Sequence, residues 1–191
     1  MFCKTPLFLD DFKRRFCRHS TMSMQIITHD DMDGYVAAAV VYHAFHDAKI
    51  VTADSISIEH YNYSNNIPTI DRSKDIVFIT DYSISNDAFK EDLYDRYMNG
   101  TDVFIYWCDH HQTSIDLCTG KYEPLKKIEG IRDTKFCGTA LAYFYLHPGS
   151  GQTTLPNFIK YVDDFDCWKK HHKESDWLNA AFNYYPSLKS Q

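Results

Sequence analysis

The segment Met24-Gln25-Ile26-Ile27-Thr28-His29-Asp30-Asp31-Met32-Asp33-Gly34-Tyr35-Val36-Ala37-Ala38-Ala39-Val40-Val41 changes character twice. Its apolar start, Met24 to Thr28, reads as a short buried strand. A polar turn follows, and from Gly34 to Asp47 the small-residue-rich run reads as a helix. Gly34 lets the chain turn sharply into that helix without a side chain in the way. On an extended backbone His29, Asp31 and Asp33 sit at alternate positions and project to one side, with Asp30 pointing away.

The same pattern recurs downstream. Lys49 to Ala53 is a plausible second strand, and Asp75 to Thr80, built on Ile76-Val77-Phe78-Ile79, is a stronger third. Ser85 or Asn86 can cap a helix running to about Met98, with Phe89, Leu93 and Tyr97 at fourfold spacing and Gly100 as its stop. Val103 to Trp107 forms a fourth strand that runs almost directly into Asp109-His110-His111. Lys121 to Lys135 is polar and irregular; Gly138 to Leu146 and Leu155 to Trp168, the latter opened by Pro156, read as helices. Alternating strands and helices predict one α/β domain, a mainly parallel sheet flanked by helices with right-handed connections.

Residues 24–191 are assigned to that domain and residues 1–23 to an N-terminal extension. The extension's apolar run, Pro6 to Leu9, is too short for a secretory signal and is followed closely by charges; an amphipathic helix docking on the domain is the alternative. An apolar content of 44% with 24% charged residues suits a packed soluble domain, and no stretch approaches the ~20 apolar residues of a membrane span. Six cysteines without a CxxC pair suggest reduced thiols and a cytoplasmic setting. A net charge of −6 argues against a broad grip on duplex DNA, which needs many Lys and Arg contacts to phosphate. A short phosphorylated substrate fits better, since bound divalent cations offset acidic charge locally.

Each polar cluster follows the carboxyl end of an apolar strand, the edge where open α/β sheets bind ligands. Carboxylate oxygens with one or two imidazole nitrogens suit Mn²⁺, with Mg²⁺, Fe²⁺ or Co²⁺ as alternatives, rather than a thiolate zinc site. Two ions sharing Asp81 would activate water and stabilise the attacking and departing oxygens at phosphorus, so hydrolysis of a phosphate ester or anhydride is the natural chemistry.

These motifs resemble those of the DHH phosphoesterase superfamily. Asp109-His110-His111 matches the residues that name it; His29-x-Asp31-x-Asp33-Gly34 matches its first motif and Asp81 its isolated second-motif aspartate. Tyr161-Val162-Asp163-Asp164-Phe165-Asp166-Cys167-Trp168 looks like the fourth motif of oligoribonuclease-type members. The resemblance covers roughly residues 24–170. It implies that His29 and Asp31 bind one metal, that Asp33, His110 and a fourth-motif aspartate bind the other, and that Asp81 bridges them. Asp164 is favoured over Asp163 for that last place, with Asp166 as a supporting partner. His111 is expected to contact the substrate phosphate or to position His110. Many members carry a second, glycine-rich substrate-binding domain; with the sequence ending at Gln191, its place is expected to fall to a homo-oligomer partner, to the Trp168–Tyr185 tail or to a very small substrate. The expected activity is cleavage of short oligonucleotides or cyclic (di)nucleotides. Pyrophosphate or short-polyphosphate hydrolysis, and nucleotide binding without turnover, are the alternatives.

Other features have plainer readings. Cys108 reads as a buried strand-end thiol rather than a nucleophile, since no separate base accompanies it. Trp168 reads as packing rather than base stacking, and Lys169-Lys170-His171-His172-Lys173 as a solvated run rather than a phosphate site.

Overall fold

In the computed structural model, which describes residues 9, 12, 13, 21–64, 67–100, 103–116 and 119–184, four strands form one all-parallel sheet. The strands are β1 (Met22–His29), β2 (Val51–Tyr61), β3 (Ile76–Thr80) and β4 (Phe104–Cys108), in the order β2-β1-β3-β4. The helices are α1 (Met32–Asp47), α2 (Asp87–Asn99), α3 (Gln112–Asp116), α4 (Gly138–Leu146), α5 (Asn157–Asp166) and α6 (Lys173–Tyr184). The expected single α/β unit with a parallel sheet flanked by helices is what the chain forms.

Alternation along the strands divides the core. Met24, Ile26, Ile76, Phe78, Tyr106 and Cys108 pack on one face against Val41 and Phe45 of α1 and Leu141 and Leu146 of α4. Ile27, Val77, Ile79, Ile105 and Trp107 point to the other face, against Phe89 and Leu93 of α2 and Leu125 of the short 3₁₀ segment Gly120–Lys127. Period-two side chains on strands covered on both faces give near-continuous apolar runs, which is why β3 is buried throughout. A third apolar cluster, of Met32, Cys137, Ala140, Ile159, Val162 and Phe182, ties α5 and α6 to α1 and α4 beside the sheet.

Three elements differ from the sequence expectation. β2 runs to Tyr61, well past Ala53; it is an edge strand with an irregularity opposite Met22 and Met24, and its polar Thr52-Ala53-Asp54-Ser55 stretch lacks the apolar alternation that marks a strand. Helix α6 lies in the Trp168–Tyr185 tail, for which the sequence reading named no element, and only Ser175 and Phe182 of it are buried. Within the N-terminal extension, Leu9 and Phe12 are helical and buried in the main cluster, the Phe12 ring meeting Phe104 edge-on at 4.8 Å. Apart from Leu9, Phe12 and Lys13, residues 1–20 lie outside the described residues, as does the tail beyond residue 184.

Candidate metal centre

From β1 the chain moves outward to β2 and then returns to the opposite side to form β3, so sheet order reverses between β1 and β3. Loops leaving neighbouring strands diverge at such a point and open a crevice at the carboxyl ends. His29 ends β1 and Asp81 follows β3, one on each side of it.

The first motif is shaped by a helix cap. Asp31 is the N-cap of α1: its Oδ1 accepts from the Gly34 N–H at 2.9 Å, while its Oδ2 lies 2.7 Å from His29 Nδ1. This contact ties up Nδ1 of His29 and leaves Nε2 for a ligand. Because the helix begins at Met32, Asp33 belongs to its first turn and does not continue an extended strand. Its carboxylate accepts from the N–H groups of Gly138 (2.6 Å) and Thr139 (2.9 Å), docking the start of α4 on the site. Both approaches need glycine. A Cβ on Gly34 would sit 2.1 Å from the His29 carbonyl oxygen, and one on Gly138 would sit 2.5 Å from Asp81 Cβ and 3.0 Å from Asp33 Oδ2.

Asp81 occupies the left-handed region at φ 51°, and its residue is 1% exposed. Both of its carboxylate oxygens are buried and accept no hydrogen bond among the described residues. His110 Nε2 stands 3.2 Å from Asp81 Oδ1 and 3.3 Å from Asp166 Oδ2, a second buried oxygen with no hydrogen bond. Asp109 plays a different part: fully buried, it accepts from the His110 N–H and the Ser114 hydroxyl, and its Oδ1 holds His111 Nδ1 at 2.8 Å. It orients the His111 ring with Nε2 available.

Burial, reinforced by Asp33, Asp31, Asp109 and Asp166, pushes the Asp81 carboxyl well above its usual range. Burial and the Asp33 and Asp31 charges push Asp166 up as well. Burial, with His111 adjacent, lowers His110 despite the acidic neighbours. For His111 burial acts downward too, but the bond and charge of Asp109 prevail and raise it. Burial also opposes the Asp31 charge, yet His29 and the Gly34 N–H outweigh it and hold this carboxyl low. A crevice that presses carboxylates together and leaves buried oxygens unpartnered lacks positive charge. Divalent cations bound by oxygen and imidazole nitrogen fit that deficit and that donor set.

Three groups of potential ligand atoms each lie within 4.8 Å of one another: His29, Asp31 and Asp81; Asp81, His110 and His111; and His110, Asp166 and Cys167. Asp81 links the first two and His110 the last two. Asp33 is in none of these groups, although its charge acts on Asp81, His110 and Asp166. Asp164, the favoured fourth-motif aspartate, is committed elsewhere: its oxygens accept from the His171 N–H (2.7 Å), the His172 N–H (3.2 Å) and the Ser175 hydroxyl (2.7 Å). These donors hold its carboxyl low against the effect of burial. Asp163 is likewise occupied, by the Cys137 N–H at 2.9 Å and Lys169 Nζ at 2.5 Å. The α5 carboxylate that reaches His110 is Asp166.

A usable signal for Asp166 lies in the helix period. Ile159, Val162, Asp163 and Asp166 follow i, i+3, i+4, i+7 spacing, which puts Asp166 on the face of α5 that Ile159 and Val162 bury. Tyr63 carried no comparable signal. Its ring lies 4.9 Å from His29 and 6.0 Å from His111 and stacks on Tyr82 at 5.1 Å, while its hydroxyl accepts from the Ser83 N–H. It props both imidazoles from a loop. Trp168, expected to pack, is 77% exposed; its ring lies under Lys170 Nζ at 4.9 Å. Cys108 is buried in the core, as expected, and burial pushes its thiol up to about 12.

No helix among the described residues is long and apolar enough to cross a membrane. Comparison with curated proteins finds no match. Comparison with protein families matches the DHH family, N-terminal domain, over residues 23–163, a span that takes in β1 to β4 and the polar ends of the strands and stops short of Asp164 and Asp166. The chain therefore belongs to the DHH family, whose enzymes are divalent-metal-dependent hydrolases of phosphate esters and pyrophosphate.

Proposed function

We propose that this chain is a phosphodiesterase that hydrolyses short oligonucleotides or cyclic (di)nucleotides with two Mn²⁺ ions. The observation that carries the reading is Asp81: a buried carboxylate with both oxygens free of hydrogen bonds among the described residues, flanked by His29 and Asp31 on one side and by His110 on the other. Leaving such a group unpaired costs several kcal/mol, and it makes sense as a shared ligand. His29 and Asp31 would hold one ion with Asp81; His110 and Asp166 would hold the second, Asp166 taking the place first assigned to Asp164. Bound there, the ions supply a nucleophile from water at neutral pH and screen charge on the phosphoryl oxygens.

The remaining residues serve geometry and charge. Asp33 fixes the start of α4 beneath Asp81 through two N–H contacts, and its charge adds to the pull on both cations. His111, raised by Asp109 and held through Nδ1, presents a protonatable Nε2 to a phosphoryl oxygen. Its role is to bind that oxygen and to place a proton near the leaving group. The acidic balance of the chain favours a substrate gripped at one phosphate over a long duplex.

The test is Mn²⁺-dependent release of mononucleotide from dinucleotides and cyclic dinucleotides, compared with an Asp81→Ala variant. Turnover by the wild type alone supports the proposal. Phosphate release from pyrophosphate without cleavage of any dinucleotide would move the chain to the pyrophosphatase reading. Tight metal and nucleotide binding with no product from either would make it a non-hydrolytic binder.

A further inference from the structure

The two metal positions just described are built from unlike atoms. Around His29, Asp31 and Asp81 every potential ligand is imidazole nitrogen or carboxylate oxygen. The group at the other end of the site includes a sulfur, since ligand atoms of His110, Asp166 and Cys167 lie within 4.8 Å of one another. We propose that Cys167 is a ligand of the His110–Asp166 position, and that its thiolate makes this position prefer Zn²⁺, Fe²⁺ or Co²⁺ while the His29–Asp31 position keeps the oxygen-rich character that suits Mn²⁺. The inference rests on the dimetal reading and refines it: Mn²⁺ supplied alone fills both positions, whereas in competition the His110–Asp166 position takes the softer metal.

Several observations converge on this cysteine. His110, which shares a ligand group with Cys167, is where the cation-deficient oxygens meet: Asp81 Oδ1 and Asp166 Oδ2, both buried and without a hydrogen bond among the described residues, approach its Nε2 to 3.2 and 3.3 Å. Among the described residues the Cys167 thiol makes one hydrogen bond, a weak contact to Asp163 Oδ1 at 3.6 Å, and Asp163 does not depend on it because the Cys137 N–H and Lys169 Nζ already satisfy its two oxygens. Burial and the Asp163 and Asp166 charges push the free Cys167 thiol up, and Lys169, held at 2.5 Å from Asp163, offsets only part of that charge, so the thiolate forms with the metal and not before it. Cys108 and Cys137 are fully buried in the apolar clusters, whereas Cys167, at the end of α5 next to Asp166, is partly buried on the margin of the third cluster. Sulfur adjoining an imidazole and a carboxylate is a borderline-soft donor set, which selects later first-row metals over Mn²⁺. Ligation replaces the thiol proton with the metal.

Cobalt reports the ligand directly. Metal-free full-length protein titrated with Co²⁺ is expected to develop visible ligand-field bands together with a near-ultraviolet sulfur-to-cobalt charge-transfer band. Cys167→Ser should keep the visible bands and lose the near-ultraviolet one, whereas Cys137→Ser should keep both. Zn²⁺ affinity of Cys167→Ser should fall by about 10- to 100-fold, the scale of disturbing a metal's ligand environment, with Mn²⁺ affinity changing much less. A measurement that needs no variant is iodoacetamide labelling followed by peptide mapping, in which Zn²⁺ should protect Cys167. Visible bands without a charge-transfer band in the wild type, a band that survives Cys167→Ser, or labelling of Cys167 unaffected by Zn²⁺ overturns the proposal and leaves the dimetal centre standing. No visible bands in the wild type overturns both.

Discussion

Asp164 and Asp166 leave the same turn of α5 and end in opposite circumstances. Asp164 is buried and receives three donors from the start of α6 and the turn before it, so its charge is stabilised by the protein alone. Asp166 places a buried oxygen 3.3 Å from His110 with no hydrogen bond, and burial and its acidic neighbours make its charge unfavourable. A buried carboxylate with all its partners is part of the scaffold. One without them, repeated at Asp81, is where a partner outside the polypeptide is proposed.

The sharpest way to break this contrast is at Asp81. Asp81→Asn keeps the shape and tolerates the left-handed backbone at φ 51°, so it removes only charge. Phosphodiesterase activity in Mn²⁺ is expected to drop by about 10²–10³-fold or more, the scale of losing one electrostatic contact at a reacting centre. Metal-free protein should gain stability, by about 1–3 kcal/mol, because a buried unpaired carboxylate is relieved. Thermal unfolding in chelator and initial rates in Mn²⁺ read the two effects. A metal-free variant less stable than the wild type would show that Asp81 serves the scaffold.

The α5 pair gives the matched experiment. Asp166→Ala should weaken metal binding by about 10- to 100-fold at little cost to metal-free stability. Asp164→Ala should strand the His171 and His172 N–H groups, the Ser175 hydroxyl keeping the His172 carbonyl as acceptor, and cost about 2–4 kcal/mol on denaturant unfolding, with metal affinity retained. Calorimetric metal titration of both variants checks the crossover. The reverse pattern would restore Asp164 as the ligand.

This pair also marks where sequence reading stops. Short apolar runs such as Ile76–Ile79 end at polar residues, so strand ends, and with them His29, Asp81 and His110, could be placed without coordinates. First-motif geometry was legible in its residues but not in its cause, because an Asp31 cap turns the chain where alternation along a strand was expected. On α5, residues two apart differ by about 200° around the helix. Asp164 and Asp166 therefore cannot share a face, and choosing between them requires knowing which face packs. Tyr63 and the Gly138–Thr139 N–H groups reach the centre from a loop and a helix start more than a hundred residues from Asp33 in the latter case, contacts set by tertiary folding alone.

Protonation separates the two classes in a single molecule. A carboxyl raised in the folded state binds more protons there than in the unfolded chain, so its stabilising contribution is complete below the unfolded value and is lost as pH rises. For Asp166, pushed up to about 8, that loss spans roughly pH 4 to 8, and Asp81 adds to it in the same direction. Asp164 and Asp31, held low, act oppositely and lose their contribution only as pH falls below the usual carboxylate range. Metal-free protein should accordingly become less stable from pH 5 to pH 8 by about 1 kcal/mol or more. With saturating Mn²⁺ the trend should reverse, because the metal needs deprotonated ligands. Melting temperatures across pH in chelator and in Mn²⁺ make the comparison; parallel curves would remove the case for cation-dependent carboxylates.

The smallest expected effect lies in the turn that separates the two aspartates' surroundings. Between Asp166 and the His171–His172 N–H groups that cap Asp164, both Trp168 (φ 53°) and Lys170 (φ 55°) are left-handed, a conformation costing roughly 1–2 kcal/mol for a residue with a Cβ. The Trp168 ring is mostly exposed, so its removal costs little packing, and its Lys170 contact is worth about 0.5–1 kcal/mol at such a surface. Trp168→Ala and Trp168→Gly lose the same ring and differ only in the Cβ. The glycine variant should be the more stable by about 1 kcal/mol on denaturant unfolding, with both retaining metal affinity. Equal stabilities would mean that the turn is not strained. A loss of metal binding in the glycine variant alone would mean that the strain itself, transmitted through Cys167, holds Asp166 against His110.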